Sequence, residues 1–393
     1  MAQHRRHRDD DGPAPQRRGI SRSLLFGIIA VMIVIAMVVA WQHFAGKSDD
    51  EGADAARSCV EGELPVPIVA DPDLVEALNT VATAFTRTNP VIRDHCIRVQ
   101  VRAGDSKVTL EGLTGTWDAA SMGDRPAAWI PQSTIWSAEL AMAKPDALEG
   151  TPTSLVTTPV VLAAQPDLGS KAKGTLQWSQ LPTLQSSDGS LSTLGLPGIG
   201  SLRMAMPRGA QSDATSLAAQ AVASTLTRST GPLTGDDAAL PRVASVVNAL
   251  IDGAPESQDG TATAAVKAIG PDIGSSPIRA VPITEQKLYQ LTKGDEKATV
   301  TEIVPGGPTP IADYPLIRLA GKQVSADASE GAAAFFDFLA TPRQLAVLTA
   351  LGFRGDAPLP KATATVKFPE TPDPMPAPEN EAAVTINRLI YGG

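Results

Sequence analysis

Histidine and cysteine are scarce in this chain, with four and two residues among 393. His4, His7 and His43 lie near the N-terminus, before or at the edge of an apolar run, which leaves His95 for a catalytic triad or a metal shell. The Gly-x-Ser-x-Gly nucleophile motif and the Gly-x-x-x-x-Gly-Lys phosphate motif are absent. We therefore expect no enzyme, no metal site and no cofactor.

Basic residues are in the minority outside the N-terminal stretch. Six arginines and three aspartates precede position 24, and the rest of the chain carries 27 basic and 39 acidic residues, a net charge of −12. A surface of this sign is a poor partner for nucleic acid and for anionic lipid headgroups. Aromatic residues make up only 4% of the chain. We expect no nucleic-acid partner.

One long apolar run is present, from Leu24 to Trp41, and it has 18 residues without a charge. Extended to Phe44, it reaches the roughly 20 residues that a bilayer core requires. The arginines before it and the acids after it place residues 1–23 in the cytoplasm as a basic tail and the bulk of the chain outside. We predict a single-pass signal anchor at Leu24–Phe44, followed by a linker over residues 45–59. The alternative is a cleaved signal peptide, although the run is longer than the usual apolar region of such peptides.

Both cysteines, Cys59 and Cys96, fall in the predicted exterior, where disulfides persist. Cys59 precedes a predicted strand at Pro65–Ala70, and Cys96 precedes another at Ile97–Val101. Parallel neighbouring strands would bring their starting points together, so we predict a Cys59–Cys96 disulfide. Two free buried thiols are the alternative.

The sequence after Cys59 has the pattern of a β-α-β unit. Asp71 is a helix cap with Pro72 at the first helical position, and apolar residues recur on one face from Leu74 to Phe85. Strands before and after such a helix imply a parallel sheet with a right-handed crossover. We therefore predict an α/β fold, with further strands at 127–131, 155–163, 204–207 and 272–283.

The segment from Ile311 to Arg354 carries the strongest family signal. A predicted strand at Asp313–Leu319 precedes a helix with buried-face spacing through Leu339, and Thr341 and Gln344 have capping-box spacing at the start of a second helix. This arrangement resembles the end of the ligand-binding module of bacterial extracytoplasmic solute-binding proteins of type II. The resemblance is to the actinobacterial kind, related to the substrate-binding modules of von Willebrand A domain proteins.

The resemblance implies a two-lobed, periplasmic-binding-protein-like fold. Residues 60–158 would begin lobe one, residues 159–297 would form lobe two, and residues 298–356 would return the chain to lobe one. Residues 357–393 would be a proline-rich tail with a short helix at Glu381–Tyr391, too short for a von Willebrand A domain. The Asp188–Ser192 segment matches the metal motif of that domain, but no buried strand precedes it, so we interpret it as a loop.

In such a fold the ligand lies between the lobes, where strand-to-helix loops present N–H groups and hydroxyls. For each residue in those loops the alternative role is a helix cap. The predicted ligand contacts are Asp105, Ser106, Ser133, Thr134, Thr157, Thr158, Ser212, Asp213 and Thr215.

Two functions follow from this interpretation. The first is a membrane-anchored protein that captures a small polar or anionic ligand and presents it to a transporter or a cell-envelope partner. The second is a scaffold of the same fold that has lost its ligand and mediates protein interactions in envelope assembly. Fold alone does not separate them.

Overall fold

The computed structural model of the chain describes residue 32 and residues 34–38, 59–227, 231–297, 299–370 and 373–392. It has two units, residues 1–58 and residues 59–393. In the first unit, the described residues are helical and exposed. The predicted tail at 1–23 and most of the predicted span Leu24–Phe44 and of the linker lie outside the described residues. Within the described residues, no helix combines the length and the apolar content needed to cross a bilayer.

The second unit is built from strands and helices that alternate along much of the chain. Its strands in the described residues are β1 Gly62–Ala70, β2 Val91–Ile92, β3 His95–Ala103, β4 Ala128–Ile130, β5 Thr153–Ser154, β6 Thr158–Ala164, β7 Ala280–Thr284, β8 Thr301–Ile303, β9 Ile311–Ala312 and β10 Pro315–Arg318. Its helices there are α1 Pro72–Thr86, α2 Ser106–Thr114, α3 Ala119–Met122, α4 Thr134–Ala143, α5 Pro166–Ala172, α6 Leu181–Ser186, α7 Asp213–Ser224, α8 Gly235–Ala238, α9 Pro241–Ile251, α10 Ala262–Lys267, α11 Glu285–Thr292, α12 Ala326–Leu339, α13 Pro342–Thr349 and α14 Asn380–Tyr391.

The first lobe contains a sheet in the order β2-β3-β1-β4-β10-β5. β1 pairs in parallel with β3 and with β4, whereas β10, which comes from the later part of the chain, is antiparallel to β4. The last residues of β1 are buried, as expected for a central parallel strand covered by helices on both faces. The Asp71 carboxylate accepts a hydrogen bond from the Asp73 N–H and so caps α1. The predicted β-α-β unit and its parallel pairing are confirmed.

The second lobe contains a smaller sheet, β7-β6-β8. β6 connects the lobes, because its first residues, Thr158 and Pro159, pair with β9 and its later residues pair with β7 and β8. Just before β6, Thr157 and Arg354 exchange two backbone hydrogen bonds, at 3.1 and 2.7 Å. The closing part of the chain therefore runs beside the strand that leaves the first lobe.

The disulfide Cys59–Cys96 is present, with the two Cα atoms 5.1 Å apart. It lies where the parallel strands β1 and β3 begin, since Gly62 is in register with His95 and Glu63 with Cys96. The predicted pairing is confirmed, and the alternative of two free thiols is wrong.

Three local predictions differ from the structure. The strand predicted at 272–283 is shorter, because the strand there covers only Ala280–Thr284. Residues 204–207 form no strand, and Met204 makes only an isolated bridge to Ala280. The buried guanidinium of Arg279 donates to the Ile273 and Ser201 carbonyls instead, so a side chain joins these loops in place of a strand ladder. The predicted capping box at α13 is also wrong, because the Thr341 hydroxyl donates back to the Phe338 carbonyl.

The C-terminal segment packs on both lobes. Its extended part is joined to Thr309 by backbone hydrogen bonds from Thr309 to Asp373 and from Met375 to Thr309. The helix α14 contacts α4 of the first lobe and α7, α8 and α9 of the second. Ile386 and Ile390 are buried in this contact, and α14 therefore connects the two lobes.

Candidate binding cleft

A direct hydrogen bond between the lobes lies at the centre of the cleft. The Ser133 hydroxyl, at the start of α4 in lobe one, donates to Oδ2 of Asp213, the first residue of α7 in lobe two, at 2.7 Å. The indole Nε1–H of Trp136 donates to the same oxygen at 2.8 Å. All three side chains are buried. The loop after β4 and the N-terminus of α7 therefore meet across the cleft.

Further polar side chains form hydrogen bonds near this one. The Gln211 side-chain amide, in the loop before α7, donates to Oδ1 of Asp71 in lobe one at 3.3 Å. The buried Gln132 amide donates to the Tyr314 hydroxyl at 3.4 Å. The Ser133–Asp213 bond is therefore accompanied by two further hydrogen bonds between polar side chains.

Burial dominates the electrostatics of these acids. It raises the pKa of Asp213 to about 7, against the two hydrogen bonds that favour its ionised form. Asp105 and Asp313 add to that rise by repulsion. Burial, with repulsion from Asp73, also raises the pKa of Asp71 well above its usual range. Asp213 is therefore poised to change its charge near neutral pH.

A second bridge between the lobes lies at the N-terminus of α11. The Lys287 ammonium in lobe two contacts Oδ1 of Asp73 in lobe one at 2.5 Å, and the Gln286 N–H donates to the Thr158 hydroxyl at 3.1 Å. The other oxygen of Asp73 is buried without a hydrogen-bond partner in the described part of the chain, as are Oε1 of Gln132 and Oε1 of Gln286. Buried acceptors of this kind are normally satisfied by water or by a ligand.

A cavity of about 250 Å³ opens beside the Ser133–Asp213 bond. Lobe one supplies the first turn of α2, where the Asp105 carboxylate accepts from the Val108 N–H at 3.0 Å. The cavity is lined from both lobes and from α14 by Asp105, Ser106, Lys107, Val108, Trp136, Arg208, Gly209, Ala210, Gln211, Asp213 and Tyr391. Lys107 and Arg208 are exposed and take part in no ion pair among the described residues.

An ion pair also ties lobe two to the crossing segment. Both oxygens of the buried Glu285 carboxylate, at the start of α11, accept from the Arg354 guanidinium at 2.8 and 2.9 Å. Burial raises the pKa of Glu285 despite this partner. Burial and the neighbouring Glu285 raise the pKa of Glu302 to about 7. This cluster lies beside the strands that connect the lobes and fixes the orientation of α11.

The structure brings together several of the predicted ligand contacts. Ser133 and Asp213 bond to each other, and Asp105, Ser106 and Asp213 line the cavity. Asp105 does cap α2. Ser133 and Ser212 make no side-chain cap bond, so the helix-cap alternative is wrong for these two.

The other predicted contacts lie outside this cavity. Thr134 and Thr157 line a second cavity of about 250 Å³ that the C-terminal segment covers. Thr158 bonds to α11, and Thr215 is buried with its hydroxyl unpartnered in the described part of the chain. Ser212 is buried and its hydroxyl contacts the Ala210 carbonyl at 3.4 Å.

Several cleft residues escaped the sequence analysis. Asp71 was interpreted only as a helix cap, although Pro72 marked the loop in which it lies. Arg208 and Gln211 lie a few residues before α7. Their position next to a helix N-terminus is the sequence feature that indicates them. Other cleft residues that the sequence did not indicate are Asp73, Lys107, Gln132, Trp136, Gln286, Lys287, Tyr314 and Tyr391.

Comparison with protein families gives one decisive match. The family model described as bacterial extracellular solute-binding protein matches residues 66–354, which include most of both lobes and every residue of the cavity lining except Tyr391. The chain belongs to this family. This membership is consistent with the expectation that the chain is not an enzyme.

The chain is also similar to curated proteins from two strains of Mycobacterium tuberculosis that are described as uncharacterized. Identity is 33% over 384 residues, which is 97% of this chain and 55% of each relative. The chain thus spans about half the length of the curated relatives it matches.

Solved solute-binding proteins share its fold. Iron-bound HitA from Pseudomonas aeruginosa aligns with a TM-score of 0.55 and 15% identity, over 83% of this chain and 99% of HitA. AfuA from Actinobacillus pleuropneumoniae, with fructose-6-phosphate bound, aligns with a TM-score of 0.52 and 13% identity, over 84% of this chain and 96% of AfuA. The predicted two-lobed α/β fold is confirmed, while the relationship to von Willebrand A domain proteins stays a prediction.

Proposed function

We propose that this member of the solute-binding family captures a small polar or charged solute between its two lobes. The observation that carries the proposal is the cavity of about 250 Å³, because charged side chains from both lobes line it. Its volume lies just below the range of about 300–1,000 Å³ that is usual for drug-sized ligands. A solute of few heavy atoms fits this space.

Buried acceptors next to the contacts between the lobes support the same proposal. Asp73, Gln132 and Gln286 each keep a buried oxygen without a partner among the described residues, and each such group costs about 1–3 kcal/mol when unsatisfied. Water held between the lobes would satisfy them. Binding in the cavity favours the arrangement in which the lobes meet, since residues of both lobes would contact the same molecule.

We further propose that Leu24–Phe44 anchors the chain in the cell membrane and that residues 59–393 lie outside. The run of 18 residues from Leu24 to Trp41 carries no charge and supports this placement. A tether would hold the solute close to a membrane transporter or an envelope protein, which raises the local concentration of one near the other.

A scaffold without a solute is the second candidate, and two contacts favour it. The Ser133–Asp213 bond joins the lobes directly, and α14 packs against helices of both. A protein held closed in this way could present a fixed surface to a partner in the cell envelope.

Thermal unfolding of the full chain, purified in detergent with the disulfide intact, separates the two candidates. The panel contains amino acids, sugars, polyamines, oxyanions and cell-wall fragments, with iron and fructose-6-phosphate because HitA and AfuA were solved with these bound. A solute at 100 times its Kd adds roughly 2.7 kcal/mol, which raises Tm by a few degrees.

The variant Arg208→Ala should lose the shift, whereas Arg343→Ala, an exposed arginine of α13 outside the cavity, should keep it. A saturable rise in Tm with this dependence supports solute binding. A folded protein that responds to no member of the panel supports the scaffold.

A further inference from the structure

We propose that the solute is a small zwitterion, whose ammonium group binds at Asp213 and whose carboxylate or phosphate group binds at Arg208 and the first turn of α2. This inference rests on the proposed solute-binding function and names the chemical class of its ligand.

The acidic end of the cavity is built to receive a donor. Asp213 is 4% exposed, and both of its donors, Ser133 and Trp136, bond to Oδ2. No donor in the described part of the chain reaches Oδ1. An ammonium group has three N–H donors and no acceptor, so it matches a site of this kind.

The basic end lies at the mouth of the same cavity. Lys107 belongs to lobe one and Arg208 to lobe two, and neither is in an ion pair among the described residues. The Asp105 carboxylate caps α2 through the Val108 N–H alone. The N–H groups of Ser106 and Lys107 therefore stay available in the first turn, where the helix dipole favours an anion.

The two ends together select a molecule that carries both charges. A simple anion would be attracted by Arg208 and Lys107 but repelled by the carboxyl groups of the acidic end. A simple cation would be attracted by those acids but repelled by Arg208 and Lys107. With a cavity of about 250 Å³, the two charges of the solute must lie only a few bonds apart. Amino acids, γ-aminobutyrate and phosphoethanolamine have this composition.

Isothermal titration of the full chain tests the proposal with matched probes. The zwitterions are the common amino acids, γ-aminobutyrate and phosphoethanolamine, and the single-charge analogues are butyrate, butylamine, inorganic phosphate and ethanolamine. We expect at least one zwitterion to bind at least tenfold more tightly than either of its single-charge analogues. Removing one charge–charge contact weakens binding by about ten- to a hundredfold.

Charge variants locate the two ends. Asp213→Asn and Arg208→Ala should each lower the affinity for the zwitterion by about ten- to a hundredfold. Arg208→Glu should turn the preference toward butylamine, because the cavity then carries acids at both ends. Asp188→Asn and Arg343→Ala are the controls, as both residues are exposed and lie outside the cavity lining, and they should leave the affinity unchanged.

The failures of the two proposals are distinguishable. If an oxyanion, an amine or a sugar binds, loses affinity in Arg208→Ala, and is not exceeded in affinity by any zwitterion, then the proposed ligand class is wrong and solute binding stands. If no probe of any class binds to the folded protein, both proposals are overturned.

Discussion

The carboxylate of Asp213 makes the two lobes sensitive to pH, and Asp213→Asn isolates this effect. Asparagine keeps an oxygen that accepts from Ser133 and Trp136, but it carries no charge at any pH. The variant therefore preserves the contact between the lobes and removes only the ionisation. Because the Asp213 side chain is buried, a substitution of similar size is the appropriate one at this position.

The magnitude follows from the raised pKa. Burial raises the pKa of Asp213 from 3.8 to about 7 in the folded protein, while the unfolded chain titrates near 3.8. Below the pKa of Asp213 in the unfolded chain, the side chain is neutral in both states and its full contribution to the free energy of unfolding is present. As pH rises toward the folded pKa, the unfolded state loses its proton first, so the free energy of unfolding falls. At about 1.4 kcal/mol per pKa unit, the loss between pH 4 and pH 8 reaches up to about 4 kcal/mol.

Urea unfolding followed by tryptophan fluorescence measures the effect between pH 4 and pH 8. We expect Asp213→Asn to be close to the wild type at pH 4 and more stable by up to about 4 kcal/mol at pH 8. The control Asp188→Asn changes an exposed acid and should show no such trend. A variant that is less stable than the wild type at pH 8, or a difference that does not change with pH, would refute the reasoning.

Three further predictions concern the framework of the fold. The double variant Cys59→Ser/Cys96→Ser should lower the urea midpoint by the equivalent of about 4 kcal/mol, because the bridge joins positions 37 residues apart; an unchanged midpoint would contradict this. Arg354→Ala leaves the buried Glu285 carboxylate unpaired and should cost about 3–5 kcal/mol at pH 8. The cost should fall as the pH is lowered, because the raised pKa of Glu285 lets its neutral form appear at a higher pH, and adding Glu285→Gln should recover part of it; a loss that does not change with pH would contradict the assignment. Ile386→Ala should cost about 2–5 kcal/mol if α14 is part of the folded unit, and a loss near zero by the same assay would show that it is not.

The first lobe was predictable from the sequence because its signals are local. Asp71 and Pro72 mark the start of α1 through the conformational preferences of two adjacent residues, and the apolar spacing that follows defines one buried face. The second lobe is less regular. There the Arg279 guanidinium donates to the Ser201 carbonyl, 78 residues away in sequence, and no periodicity in the sequence predicts a contact of this kind.

The cleft was predictable only in part, for a related reason. Asp213 could be selected as the first residue of a helix, but its partner Ser133 is 80 residues away, and only the packing of the lobes brings them together. Lys287 and Asp73 are 214 residues apart. Whether a polar side chain at a helix N-terminus caps its own helix or bonds to the other lobe depends on the tertiary fold. Ser133 bonds to the other lobe, although its sequence context is equally typical of a helix cap.

The distance between the lobes in solution tests solute binding in the cleft most directly. Spin labels at Glu111→Cys on α2 and Asp252→Cys at the end of α9 would report on lobe one and lobe two, and both native side chains are exposed. The two native cysteines are joined to each other and do not take up label. The account predicts that the solute giving the largest rise in Tm narrows the distance distribution toward its shorter values in a saturable way. An unchanged distribution at a solute concentration that still raises Tm would contradict binding between the lobes.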